Sequence, residues 1–260
     1  MKPLPFISTI ALGLHLLTAL LRSAPAEYEL SFSDEFDGSK LDAGKWIDQY
    51  PDHWGRFHGN NEQQYYAPDS HEIRDGKLIL RAQKRALPVA RGRPYTSAMI
   101  ASQPHFVQTY GWWEMRAKFP AGKGLWPAFW LLPADKSWPP EIDVMEILGH
   151  DVRTLHMTFH RKPAAPGRMV STSKSWAGPD FTRDFHTFAL EWKAGELIWH
   201  VDGVERARYA GADVPAVPMY CIANLAVGGD WPGLPDASTP FPSTMEIDYV
   251  RVYRVKKRAQ

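Results

Sequence analysis

The chain has 260 residues, of which 44% are hydrophobic and 23% charged, the usage of a globular protein and not of a disordered one. A formal charge of +1 supplies no basic excess for nucleic acid, and a single cysteine, Cys221, excludes a Cys-based zinc cluster and an intrachain disulfide framework. Aromatic residues reach 13%, and 22 prolines spread along the chain disfavour long helices.

The first segment reads as an export signal. Met1-Lys2 starts it with a positive charge, Phe6 to Leu21 is mostly apolar, and Ser23-Ala24-Pro25-Ala26 provides an A-x-A cleavage pattern. The apolar run is shorter than the roughly 20 residues of a bilayer span. Residues 1–26 are therefore expected to be removed, leaving a secreted or periplasmic protein with no membrane contact and one domain over 27–260.

Beyond it, short alternating runs dominate. Lys77 to Ala82 is the first strand with clear patterning. Trp113, Met115, Ala117 and Phe119 alternate with Glu114, Arg116 and Lys118, a period of two. Phe188, Leu190 and Trp192 alternate in the same way. Leu197 to Val201 is apolar apart from His200, and Asp202-Gly203 offers a hairpin turn into Val204 to Tyr209. Met245 to Tyr253 closes the series. No window carries a convincing helical stripe and no repeat or linker breaks the chain. The expected class is all-β, with two packed antiparallel sheets.

The chemistry concentrates in Glu141-Ile142-Asp143-Val144-Met145-Glu146. Alternation puts Glu141 and Asp143 on one face of a strand, but odd spacing sends Glu146 to the other. One extra residue bulged out at Val144 or Met145 would bring Glu146 back. Leaning side chains could then reach the roughly 5–5.5 Å separation that retaining glycosidases need. Carboxylates crowded on one face raise the pKa of at least one, which keeps an acid protonated beside an ionised neighbour. A solvated surface strand, a helix start after Pro139-Pro140, and a calcium site remain open on these residues alone. Upstream, Trp126, Ala128 and Trp130 share a strand face, either as core or as a flat platform for the apolar faces of sugar rings. Pro127 is unusual in a central strand and hints at a bend or bulge. Downstream, His156, Thr158 and His160 alternate on one face. A zinc ion shared by the two histidines lacks a third ligand of suitable spacing, and His160 is instead a candidate for hydrogen bonding near Glu146. Trp231, in the loop Gly228-Gly229-Asp230-Trp231-Pro232-Gly233, is a candidate sugar contact, as is Asn60.

The ordered set of segments resembles glycoside hydrolase family 16 in its bacterial laminarinase form. The similarity runs from about Tyr28 to Tyr253. It rests on Ser33-Asp34-Glu35-Phe36-Asp37-Gly38, Asn61-Glu62-Gln63-Gln64-Tyr65-Tyr66, Tyr110 to Arg116, Gly124 to Pro133, the carboxylate signature, Asn224 to Gly233 and Ile247 to Tyr253. The signature has the longer, bulged form typical of β-1,3-glucanases. The resemblance implies a β-jelly-roll sandwich with an open concave cleft, and retaining endo-hydrolysis of a β-glucan by a monomer. It implies Glu141 as nucleophile, Glu146 as general acid/base, and Asp143 holding the nucleophile. It requires no cofactor for catalysis. It also implies a structural calcium on the convex face, held by Glu35, the Gly76 carbonyl and Asp248. Mixed-linkage glucanases, galactan hydrolases and transglycosylases use the same acids. Non-catalytic glucan-binding relatives have lost catalytic carboxylates, whereas all three are present here.

Overall fold

The computed structural model describes residues 24–162 and 168–257; residues 1–23 of the expected signal segment lie outside the described residues. In chain order the strands are β1 Tyr28–Asp34, β2 Gln64–Tyr66, β3 His71–Arg74, β4 Lys77–Lys84, β5 Tyr95–Ser97, β6 Met99–Ala101, β7 Gly111–Lys118 and β8 Leu125–Pro133. They continue with β9 Glu141–Leu148, β10 Asp151–Arg161, β11 Val170–Ala177, β12 His186–Lys193, β13 Glu196–Val201, β14 Val204–Ala210, β15 Met219–Val227 and β16 Ser243–Val255. Among the described residues the only helical element is a single 3-10 turn, Pro88–Ala90.

The strands form a jelly-roll sandwich. One sheet has ten strands with the path β14-β13-β12-β7-β16-β4-β5-β2, to which β1 and β3 add at β16 and β4; the other has six, in the order β11-β10-β9-β8-β15-β6. Pairing is antiparallel except between β2 and β5, which run parallel. The expectation of purely antiparallel sheets fails there because the chain between them passes through β3 and β4, long enough for a crossover.

The period of two decides which side chains meet. Trp113, Met115 and Ala117 of β7 and Phe188, Leu190 and Trp192 of β12 point inward against Phe129 and Leu131 of β8 and Ile142 and Ile147 of β9, all fully buried in one core. The expected hairpin forms at Asp202-Gly203: both residues have positive φ (50° and 74°), as a type I′ turn between β13 and β14 requires. Pro127 is accommodated because the β8–β9 ladder begins at Ala128, so the missing N–H removes no bond to β9.

The outward face of the six-stranded sheet forms a cleft of about 750 Å³, within the usual range for a ligand site. β8, β9, β10 and β15 all contribute to its floor.

Candidate active site

The carboxylates share a face because β9 is bulged. Against β8, Glu146 pairs with Ala128, Met145 with Phe129, Asp143 with Trp130 and Ile142 with Leu131, so Val144 has no partner. The same slip appears against β10, where Glu146 faces His156 and Asp143 faces Thr158. The bulge carbonyl is held from the far sheet: Trp199 Nε1 of β13 donates to the Asp143 main-chain oxygen at 2.9 Å through the core. As a result Glu141, Asp143 and Glu146 line one cavity. The extra residue is thus Val144, of the two positions the spacing allowed.

Burial and mutual repulsion keep this cluster partly protonated. The Glu141 carboxyl is pushed from 4.5 to about 8, first by burial and then by the neighbouring Asp143 charge, with His160 and a Trp138 hydrogen bond opposing. Glu146 is pushed well above the carboxylate range by burial, then by Asp143 and Glu141. Crowded together, the carboxyls resist ionising all at once, so one can keep a proton beside an ionised neighbour, as an acid/base pair needs. Burial pulls the His160 imidazole down, but its contact with Asp143 and the two nearby carboxylates outweigh this and raise it.

These shifts carry a stability consequence. A carboxyl raised on folding favours the folded state through its protonated form. That contribution is fully present below the ordinary 4.5 and is lost as pH climbs through about 8. Each tenfold change in the proton equilibrium is worth about 1.4 kcal/mol. Glu141→Gln cannot ionise, so its urea midpoint should fall less than that of the natural protein across this window. Parallel loss in both proteins would show that Glu141 is not held protonated by the fold.

Aromatic donors grip two of the acids. Trp126 Nε1 donates to Glu146 Oε1 at 3.1 Å, and Trp138 Nε1 donates to Glu141 Oε2 at 2.5 Å. Trp231 packs edge-on against Trp126 with ring centroids 5.4 Å apart, is 42% exposed and stands in the cleft wall. Asn60 also lines the cleft, and its carbonyl accepts from the Asp230 N–H at 2.9 Å, which ties its loop to that of Trp231. Gly229 is required at this junction: its φ is 131°, and a Cβ would sit 3.0 Å from the Asn60 carbonyl oxygen.

Two expectations need correction. Trp130 lines the floor but is only 7% exposed, boxed by Tyr50 and His58, with its Nε1 donating to Asn224 at 2.8 Å. It offers an edge more than a platform. His160 lies beside the opposite acid: its Nε2 is 3.1 Å from Asp143 Oδ2 and 3.7 Å from Glu141 Oε1. His156 is the residue facing Glu146, and its ring packs on Trp231 at 4.8 Å. Tyr50, His58, Trp138 and Asn224 escaped the sequence reading. Only Trp138, three residues before Glu141 and 54% exposed, carried a signal that could have found it.

Comparison with known proteins agrees with this geometry. The pattern of Glycosyl hydrolases family 16 matches residues 58–251. The chain belongs to glycosyl hydrolase family 16. It is 35% identical over 282 residues to a beta-glucanase of Rhodothermus marinus, covering 98% of this chain and 95% of that protein. It is 36% identical over 244 residues to the endo-1,3-1,4-beta-glycanase ExsH of Rhizobium meliloti (strain 1021), covering 86% of this chain. It spans only 51% of the length of that relative. Its fold superposes on the laminarinase catalytic domain of Thermotoga maritima MSB8 with a TM-score of 0.79 and 36% identity, over 89% of this chain and 100% of that one.

The convex-face calcium expected of a family 16 chain finds an engaged donor set. The registers β1–β16 and β4–β16 bring the backbones of Glu35, Gly76 and Asp248 toward one region. However, both oxygens of Glu35 accept from Arg251, at 2.9 and 2.7 Å, and Asp248 Oδ2 accepts from Arg116. The charges are balanced without an ion, and calcium wants six to eight oxygens. An ion held by Glu35, the Gly76 carbonyl and Asp248 would have to draw these carboxylates away from Arg251 and Arg116. A melt with and without chelator tests the site: a drop of several degrees on chelation would show that calcium displaces the guanidinium groups, and an unchanged melting temperature would remove the ion from this site.

Proposed function

We propose that this chain is an endo-acting β-glucanase that hydrolyses β-1,3-linked glucan with retention of configuration, outside the cytosol and as a monomer. The observation that carries the reading is the Val144 bulge, which turns Glu141, Asp143 and Glu146 together into an aromatic-walled cleft. In the competent form Glu146 carries the proton and Glu141 is the carboxylate, a charge that His160 and the Trp138 hydrogen bond favour. Glu146 protonates the glycosidic oxygen while Glu141 attacks the anomeric carbon, and water guided by Glu146 then releases the glycosyl-enzyme. Trp138 steadies the nucleophile and Trp126 steadies the acid/base. Asp143 supplies a negative charge that raises both neighbours. This division of labour separates the chain from a binding-only relative, which needs none of the three acids.

Mixed-linkage glucan is the second reading, favoured by the similarity to the endo-1,3-1,4-beta-glycanase of Rhizobium meliloti. Incubation with laminarin, lichenan, agarose and cellulose, followed by product identification, separates them. Short oligosaccharides from laminarin are expected, with lichenan slower. Products from agarose alone, or from none of the four, would sink the glucanase reading.

A further inference from the structure

His160 completes a ligand set that the sequence spacing of the histidines does not reveal. The register of β9 against β10 sets His160 opposite Glu141 and Thr158 opposite Asp143, on strands and not on loops. One donor atom from each of Glu141, Asp143 and His160 lies within 4.8 Å of the others. Tetrahedral zinc, with bonds of about 2.0–2.2 Å to nitrogen and oxygen, spaces its ligand atoms roughly 3.3–3.5 Å apart. The two His160 contacts, 3.1 Å to Asp143 Oδ2 and 3.7 Å to Glu141 Oε1, bracket that spacing.

Three details aim the donors inward. Asp143 Oδ2 is buried and receives no aligned hydrogen bond, its approach to His160 being an ion-pair contact alone. The other imidazole nitrogen, Nδ1, shares a 2.7 Å hydrogen bond with Ser171 Oγ, the kind of outer partner that orients a metal-binding histidine. Trp138 occupies Glu141 Oε2, which leaves Oε1 for a ligand.

We propose that Glu141 Oε1, Asp143 Oδ2 and His160 Nε2 bind one divalent transition-metal ion of the zinc class, and that the bound ion excludes the glucan. Binding displaces the protons these groups carry, and the two carboxylates then neutralise the +2 ion. One imidazole with two oxygens suits zinc or copper, not calcium or magnesium, which favour all-oxygen shells. The ion holds the nucleophile of the proposed hydrolysis, so it inhibits and does not assist. The binding claim stands apart from the glucanase reading; the inhibition claim rests on it.

The test titrates zinc chloride calorimetrically into the full mature protein, stripped of metal and free of any histidine tag. One ion per chain is expected, with no heat from calcium chloride at the same concentration. His160→Gln and Glu141→Gln should each weaken zinc by about tenfold or more, at least the loss that removing an outer-shell partner causes. His156→Gln should bind as the natural protein does. Far-UV circular dichroism checks that each variant is folded, and two variants guard against failure of one. Zinc that binds equally to both variants, or does not bind at all, overturns the site. In the second arm, zinc should inhibit laminarin hydrolysis competitively, its half-inhibiting concentration rising with substrate. Binding at the site without inhibition overturns the exclusion of glucan. A protein that hydrolyses no glucan overturns the functional reading and leaves the calorimetric result to decide the metal site.

Discussion

Glu146→Ala leaves a protein that cannot expel a sugar alcohol but still forms a glycosyl-enzyme from an activated aryl glycoside. Loss of the general acid should lower the rate on laminarin by about 10²–10⁴-fold. Substrates with a good leaving group need no proton, so Glu141 should still be glycosylated and the intermediate should accumulate. Azide needs no general base and fits where the deleted carboxylate stood. It should restore turnover, and the product should be the β-glycosyl azide, because two inversions at the anomeric carbon preserve configuration. Glu141→Ala should give no such β product. The structure adds a reason to expect clean separation of the roles: Glu146 receives the Trp126 indole, whereas Glu141 is held by Trp138 and faces His160. Absence of azide rescue, or an α product, would reverse or void the assignment of the two acids.

Deleting Val144 should yield a folded, partly active protein. The deletion leaves Glu141-Ile142-Asp143-Met145-Glu146, in which the acids alternate regularly. Every pairing with β8 is preserved, including Met145 opposite Phe129 and Glu146 opposite Ala128. Val144 is 2% exposed, so its loss removes core packing. Straightening the strand also disturbs the Asp143 carbonyl that Trp199 holds, and an unmet buried hydrogen bond costs about 1–3 kcal/mol. Lower stability with retained catalysis is the expected pair of outcomes. Inserting one alanine after Met145 is the opposite change. Without a bulge it lengthens the interval between the acids by two strand steps, about 6–7 Å. That gap is too wide for nucleophile and acid to act on one bond, and the insertion should be inactive. A folded deletion variant as dead as Glu141→Ala would mean that the bulge shapes the site beyond setting its register.

Much of this protein was readable one strand at a time. The inward faces of β7 and β12, the Asp202-Gly203 turn and the need for one extra residue between Asp143 and Glu146 all follow from the period of two, which is a local property of extended chain. The clustering of Glu141, Asp143 and Glu146 was legible there too, whereas their separate roles came only from the resemblance to glycoside hydrolase family 16. Which histidine meets which acid was not, because that depends on how β10 folds back on β9. Counting outward from Asp151 and Leu148, which flank the turn Gly149-His150, would set His160 opposite Pro139. Register shifts between Asp151 and Leu155 and between His156 and Thr158 move it to Glu141, so the pairing is hidden even from someone who knows that the two strands form a hairpin. Trp199 lies 56 residues from the carbonyl it holds, in the other sheet, and no spacing in the chain announces it. Likewise the burial of Trp130 against Tyr50 and His58, and the arginines on Glu35 and Asp248, are set by neighbours distant in sequence. Alternation determines which way a side chain points. Only the packing of sheet on sheet and strand on strand decides what it meets there, because each partner is chosen by register and burial across the whole fold.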